Sequence, residues 1–131
     1  MQMTHEGGSI PFESSDGKEV YYQKIQGDSD VWQVPVAGGE ETRVLGPAGQ
    51  LQFAVVADVI YFIEPGPPGY AGWIKGNSLK FFSFAKGTAE KVFDIKYLPL
   101  VGLSLSPDGR YVLFSQVDPF GGDLMLVENF R

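Results

Sequence analysis

Short runs of apolar residues recur along the whole chain, separated by Gly, Pro, Asp and Ser. The runs are rich in Val, Ile, Tyr and Phe, which favour β-strands. Runs such as 31–36 and 81–84 carry apolar residues on both faces, which is typical of strands packed between two neighbouring layers. No segment shows the 3.6-residue period of an amphipathic helix. The pattern therefore predicts an all-β protein.

One hairpin pattern occurs twice in the chain. The segment 14–18, SSDGK, recurs 92 residues later as 106–110, SPDGR, and each is followed by an aromatic strand. A less regular copy of the same unit lies between these two, because residues 34–39 match residues 82–87 at an offset of 48. This middle copy lacks the Asp-Gly turn and carries an insertion at 64–77, EPGPPGYAGWIKGN. The chain therefore consists of three copies of one unit.

Each full copy is predicted to form four short strands, and the third copy has only three. The predicted strands lie near 9–14, 19–24, 30–36 and 41–45, then 51–56, 59–64, 78–84 and 89–95, then 100–105, 111–117 and 123–128. Repeated four-stranded units of about 45 residues are the sequence signature of a β-propeller. A single domain of three blades follows, with boundaries at about 9–46, 47–96 and 97–131.

Three phrases in the sequence carry a family resemblance. They are SPDGRYVLFS, SSDGKEVYY and VWQVPVAGGEETRVL. They resemble the TolB-type, or WD40-like (PD40), propeller repeat over essentially the whole chain. The closing segment 122–131 resembles the end of propellers fused to bacterial winged-helix regulators. The resemblance implies a propeller that serves as a sensory or scaffolding module.

Three blades are too few to close a propeller, since closed rings have at least four. Two open apolar faces are expected, and the third copy lacks its outer strand. Residues 1–8 look like an outer strand from a preceding blade, so they could complete blade three of a partner chain. We therefore expect a homodimeric six-bladed propeller with two-fold symmetry. The alternative is a fragment of a longer TolB-like sensor protein.

Composition narrows the function classes. The 131 residues include no cysteine, which excludes disulfides, thiolate metal sites and a Cys nucleophile. Ten basic and sixteen acidic residues give a net charge of −6 with no basic stripe, which disfavours nucleic-acid binding. No apolar run is long enough to span a bilayer, and no signal peptide is visible. A cytoplasmic location is expected, or a periplasmic one if the parent protein is longer.

No catalytic constellation stands out. Asp16 and Asp108 recur in the same turn, so they are expected to serve the hairpin rather than acid–base chemistry. His5 is the only histidine, which leaves little for a triad or a multi-His metal site. We expect no catalytic residue, no cofactor and no metal. The enzymatic alternative is a hydrolase-type or metal-binding site in the central channel between subunits, and the channel residues available are Glu13, Gln50, Gln52 and Asp58.

The insertion at 64–77 is the most individual stretch of the chain. It connects the second and third strands of copy two, and such connections gather on one rim of a propeller. Exposed aromatic and charged side chains on a long loop often form binding sites. The candidate contact residues on this rim are Tyr70, Trp73, Lys75, Asp118 and Phe120. An interaction module for a protein or small ligand is thus favoured over an enzyme, although Tyr70 or Trp73 could simply pack on a neighbouring blade.

Overall fold

Three antiparallel sheets follow one another along the chain, one for each predicted copy. The computed structural model describes residues 1–24, 29–67, 77–118 and 121–129. Blade one holds β1 (Ser9–Glu13), β2 (Glu19–Gln23), β3 (Val31–Pro35) and β4 (Thr42–Leu45). Blade two holds β5 (Phe53–Val56), β6 (Val59–Glu64), β7 (Asn77–Ser83) and β8 (Thr88–Ile95). Blade three holds β9 (Leu98–Leu105), β10 (Tyr111–Asp118) and β11 (Gly121–Glu128).

Within every sheet the strands pair in sequence order, as in a propeller blade. The predicted strands are confirmed, and each predicted end lies within two residues of the observed one. The described ranges contain no helix, and hence none that is long and apolar enough to cross a membrane. The all-β prediction is therefore confirmed.

In blade three, two strands begin two residues earlier than the sequence predicts. Strand β9 begins two residues early and includes Pro99, which pairs with Gln116. Proline is tolerated there because β9 is an edge strand, on which one missing amide need not break a ladder bond. The ladder of β10 and β11 continues to Asp118 opposite Gly121. The strands predicted at 111–117 and 123–128 therefore extend one and two residues further towards each other.

The two Ser-x-Asp-Gly turns have the same hydrogen bonds. The Ser14 hydroxyl donates to Asp16 Oδ1 at 2.7 Å, and the Ser106 hydroxyl donates to Asp108 Oδ1 at 2.6 Å. Each serine oxygen also accepts two backbone amides at the start of the following strand segment, at 2.9 to 3.1 Å. The serine hydrogen bond lowers the pKa of each aspartate below its usual value. Both carboxylates therefore serve the hairpins, as the repeat predicts.

The core lies between consecutive blades, because alternate residues of each strand face opposite neighbours. Tyr21, Val31 and Leu45 of blade one pack with Phe53, Ile60 and Phe62 of blade two. On the other face of blade two, Tyr61, Ile63 and Leu79 pack with Leu103, Val112 and Phe114 of blade three. The first strands β1, β5 and β9 lie side by side in that order. Blade two is therefore covered on both faces.

Buried glutamines join the blades through polar contacts. Gln23, fully buried at the end of β2, donates to the carbonyls of Ser29 and Gly49 and accepts the amide of Leu51. Gln52 donates from its side chain to the Leu100 carbonyl at 2.6 Å. These side chains hydrogen-bond to backbone groups of the β2–β3 connection, of the connection between blades one and two, and of β9, as buried polar groups require.

Candidate functional site

The side of blade three that faces away from blade two carries several exposed large apolar side chains. On β10, Leu113 and Val117 point away from blade two, while the alternating residues Val112 and Phe114 are buried against it. The neighbouring strand β11 contributes Leu124 and Leu126, opposite Ser115 and Leu113. The two leucines of β11 are 75% and 53% exposed. We call this surface the open face, and it has the exposure expected of an interaction site.

A groove of about 540 Å³ lies at the end of the open face nearest the Ser-Pro-Asp-Gly turn. Its lining is mostly apolar and carries a single carboxylate. The lining residues are Ser104, Leu105, Ser106, Tyr111, Leu113, Leu126 and Glu128. Apolar walls with a few polar groups suit an inserted apolar side chain from a partner.

The open face is equivalent to surfaces that are buried in the other blades. In blade two, Tyr61 and Ile63 occupy the corresponding side of β6, and blade three covers both. Within the part of the chain that the structure describes, β11 pairs with β10 alone. Blade three therefore presents both an uncovered face and an unpaired strand edge. The sequence predicted such a face in general, but it singled out none of these leucines.

Blade one does not have the second open face that the sequence predicts. Tyr22 and Val34 lie on the side of blade one that faces away from blade two, yet they are only 2% and 0% exposed. Residues 1–8 lie along this side, with Met1 beside Gly38 and Gly8 against the Tyr22 ring. These residues form no strand in the structure. The chain therefore covers this surface with its own first residues, which we call the cap.

An ion pair lies under the cap. Lys24, at the end of β2, pairs with Glu41 just before β4, and its ammonium lies 4.1 Å from the centre of the Trp32 ring. The His5 amide donates to Glu41 at 3.0 Å, and Lys24 also lies 3.4 Å from the Glu6 carboxylate. Because Lys24 and Glu41 are largely withdrawn from water, removal of either would leave a charge without compensation. The pair therefore joins β2 to β4 and fastens the cap.

The ion pair gives a defined pH dependence. Lys24, assisted by the His5 amide, lowers the pKa of Glu41 to about 2, whereas burial and Glu41 raise the pKa of Tyr22. A depressed carboxyl pKa stabilises the fold above the unfolded value of 4.5, and this contribution is lost as pH falls towards 2. NMR titration of the Glu41 carboxyl should give a midpoint well below its unfolded value of 4.5. A midpoint at 4.5 would contradict the pairing.

Most of the rim residues predicted from the sequence lie outside the described residues. These are Tyr70, Trp73, Lys75 and Phe120. Asp118 ends β10 opposite Gly121. The hydrogen bonds of Gln23 bring Ser29 and Gly49 together, so connections on this rim do meet at one end of blade one. The rim site itself stays a prediction.

The structure describes all four residues named for a central channel. Gln52 is buried and bonded to the Leu100 carbonyl, so its role is structural. Glu13, Gln50 and Asp58 are exposed. Within the described ranges, no three His, Cys, Asp or Glu side chains are placed so that they could hold a metal ion.

The fold is similar to that of known propellers. No protein-family model matches the sequence, and no curated protein does either. Among solved structures, TolB from Acinetobacter baumannii aligns with a TM-score of 0.69 at 15% identity, over 98% of this chain and 32% of TolB. A putative TolB from Agrobacterium tumefaciens gives 0.67 at 18% identity, over 93% and 47% of the two chains. A chain of a nidogen/laminin complex gives 0.64 at 14% identity, over 89% and 42%.

These identities are low enough that the likeness concerns the fold alone. The chain spans between a third and a half of the length of these structures. It therefore matches part of a propeller rather than a whole one. Its three meandering sheets, with their apolar cores between blades, have a TolB-like β-propeller fold.

Proposed function

We propose that this chain is a non-catalytic propeller module that binds a protein through the open face of blade three. The observation that carries the proposal is the exposure of Leu124 and Leu126 on a face whose equivalent in blade two is buried under the next blade. An apolar surface of this kind is costly to leave in water, so a partner that covers it gains the hydrophobic free energy.

A second copy of the chain is the partner that best fits this surface. Two chains of three blades would give six blades with two-fold symmetry, and each open face would meet blade one of the other copy. The edge strand β11 supports this arrangement, because among the described residues it pairs only with β10 and leaves its outer side open to a further strand. In this assembly the rim residues Tyr70, Trp73, Lys75, Asp118 and Phe120 would surround one end of the channel as a site for a protein or small ligand.

A longer parent protein would cover the open face with blades of its own. The TolB structures, of which this chain spans a third to a half, show that such blades can belong to a larger chain. The resemblance of the last segment to propellers of winged-helix regulators points to a sensory role for such a parent. Either way, the open face is a contact surface and the channel is not a catalytic site.

A charge placed in the open face tests the proposal. Leu126→Glu should abolish self-association of the chain, raising the dimer Kd at least about a hundredfold, because a carboxylate would be buried in an apolar contact. Ala89→Glu introduces the same charge at an exposed position of β8 in blade two, outside the proposed contact, and should leave the Kd unchanged. Sedimentation velocity at several concentrations measures both variants. Equal association by Leu126→Glu and the unaltered chain would reject the open face as the contact.

A further inference from the structure

The cap occupies the place where a preceding blade would pack. In blades two and three, the side that faces the preceding blade is buried against it, as Phe62 is on blade one and Phe114 on blade two. The equivalent side of blade one carries Tyr22 and Val34, and it is the cap that lies there instead. In a ring of two chains, the open face of the partner would need this same surface. The cap and a second copy therefore cannot both bind it in full.

The contacts that hold the cap can be broken without exposing an unpaired buried charge. Lys24 and Glu41 both belong to blade one, so they remain paired when residues 1–8 leave. What is lost is the bond from the His5 amide, the contact of Gly8 with Tyr22, and the Glu6 pair. The Glu6 side chain is 82% exposed, so its pair with Lys24 contributes little. A large apolar surface could therefore displace the cap.

The released cap is long enough to form the missing outer strand. The chain connects an outer strand to the next inner strand through 46–52 in one case and through 96–97 in the other. Residues 5–8 would form the equivalent connection from a partner's blade three into β1. Their length of four residues lies between the lengths of the two observed connections. Residues 1–4 would then be free to pair with the outer edge of β11.

We infer that residues 1–8 are a self-cap that competes with the open face of a second copy, and that they become the outer strand of the partner's blade three on release. The inference rests on the proposed self-association. It makes the dimer contact conditional, because only the uncapped form of each copy is competent to bind. The apparent Kd of the dimer then depends on the uncapped fraction of both chains.

Two variants loosen the cap by different means. Gly8→Val places a side chain where a Cβ alone would be 3.0 Å from the Tyr22 ring, and Glu6→Lys sets a second ammonium beside Lys24. Both leave residues 1–4 intact. If the uncapped fraction rises about tenfold in each copy, the dimer Kd should fall by up to about a hundredfold. Glu90→Lys makes the same charge change on β8 of blade two and should leave the Kd unchanged.

Deletion of residues 2–4 should have the opposite effect. It removes the strand that is exchanged, so the dimer Kd should rise even though the cap is also shortened. Circular dichroism and thermal melting of each variant show that the blades stay folded. Opposite shifts in Kd, downward for Gly8→Val and upward for the deletion, are the result expected.

The outcomes separate this inference from the proposed function. A dimer that is disrupted by Leu126→Glu but unaffected or weakened by Gly8→Val would overturn the cap and leave the open face as a contact. A dimer tightened by the deletion of residues 2–4 would show a cap without strand exchange and would overturn the second half of the inference. A chain that stays monomeric in every variant would remove the proposed self-association, and the cap's competition with it.

Discussion

Replacement of Phe53 with alanine should lower the free energy of unfolding by about 3–5 kcal/mol, the usual cost of a large-to-small change in a packed core. The Phe53 ring is almost fully buried between blades one and two, and it meets the Phe12 ring edge-on at 5.1 Å. Phe53 belongs to the apolar cluster that joins Tyr21 of blade one to Phe62 of blade two, so the cavity should loosen the contact between the blades. Urea denaturation monitored by circular dichroism measures the change.

A matched control is Leu124→Ala on the open face. Leu124 is mostly exposed in the single chain, so its truncation should change the free energy of unfolding by less than about 0.5 kcal/mol at concentrations where the chain is monomeric. Similar losses for the two variants would mean that the interface of blades one and two is not the core of this fold.

Replacement of Gln23 with leucine should cost about 2–4 kcal/mol, although leucine is the more apolar residue. The Gln23 amide is the partner of three backbone groups, namely the carbonyls of Ser29 and Gly49 and the amide of Leu51. A leucine of similar size would remove the hydrogen bonds to the Ser29 carbonyl and the Leu51 amide, whereas the Gly49 carbonyl would keep the Gln52 amide as a donor. An orphaned buried group costs about 1–3 kcal/mol. Chemical denaturation of the variant gives the value.

Gln50→Leu is the control for this change, because Gln50 is exposed in the same connection between blades. It should alter stability by no more than about 0.5 kcal/mol. If Gln23→Leu were neutral or stabilising, the backbone groups around Gln23 would have to find other partners, and the polar bridge between the blades would not be needed.

Local patterns in the sequence are sufficient to predict where the strands lie. The Ser14–Asp16 and Ser106–Asp108 turns close within five residues, so every group that determines them is adjacent in the chain. The alternation in β10 likewise fixes which residues face blade two. These features depend on residues that are neighbours in the chain. The predicted ends of the strands accordingly lie within two residues of the observed ends.

Contacts between distant segments were not predictable in the same way. The partner of Gln23 at Leu51 is 28 residues away, and Gln52 bonds to the Leu100 carbonyl 48 residues away. In the sequence both glutamines look like ordinary polar positions next to a strand. The cap was interpreted as an outer strand, because the composition of residues 1–8 does not reveal that His5 and Glu6 meet Glu41 and Lys24.

The candidate site was predictable only in outline. The count of three blades predicts uncovered apolar faces, and the open face of blade three confirms one of them. The sequence placed the binding residues on the rim, whereas the described structure places its exposed apolar side chains on the sheet surface of β10 and β11. The difference arises because the alternation of apolar residues along a strand is the same whether or not another blade covers that strand. The sequence therefore does not show which sheet surface is exposed.

The mass of the chain in solution tests the central claim most directly. One chain has a mass of 14.3 kDa. Light scattering after size exclusion, over a wide range of concentrations, should show a species of twice that mass at high concentration and dissociation on dilution. A well-folded species that stays at 14.3 kDa at every concentration would contradict self-association through the open face.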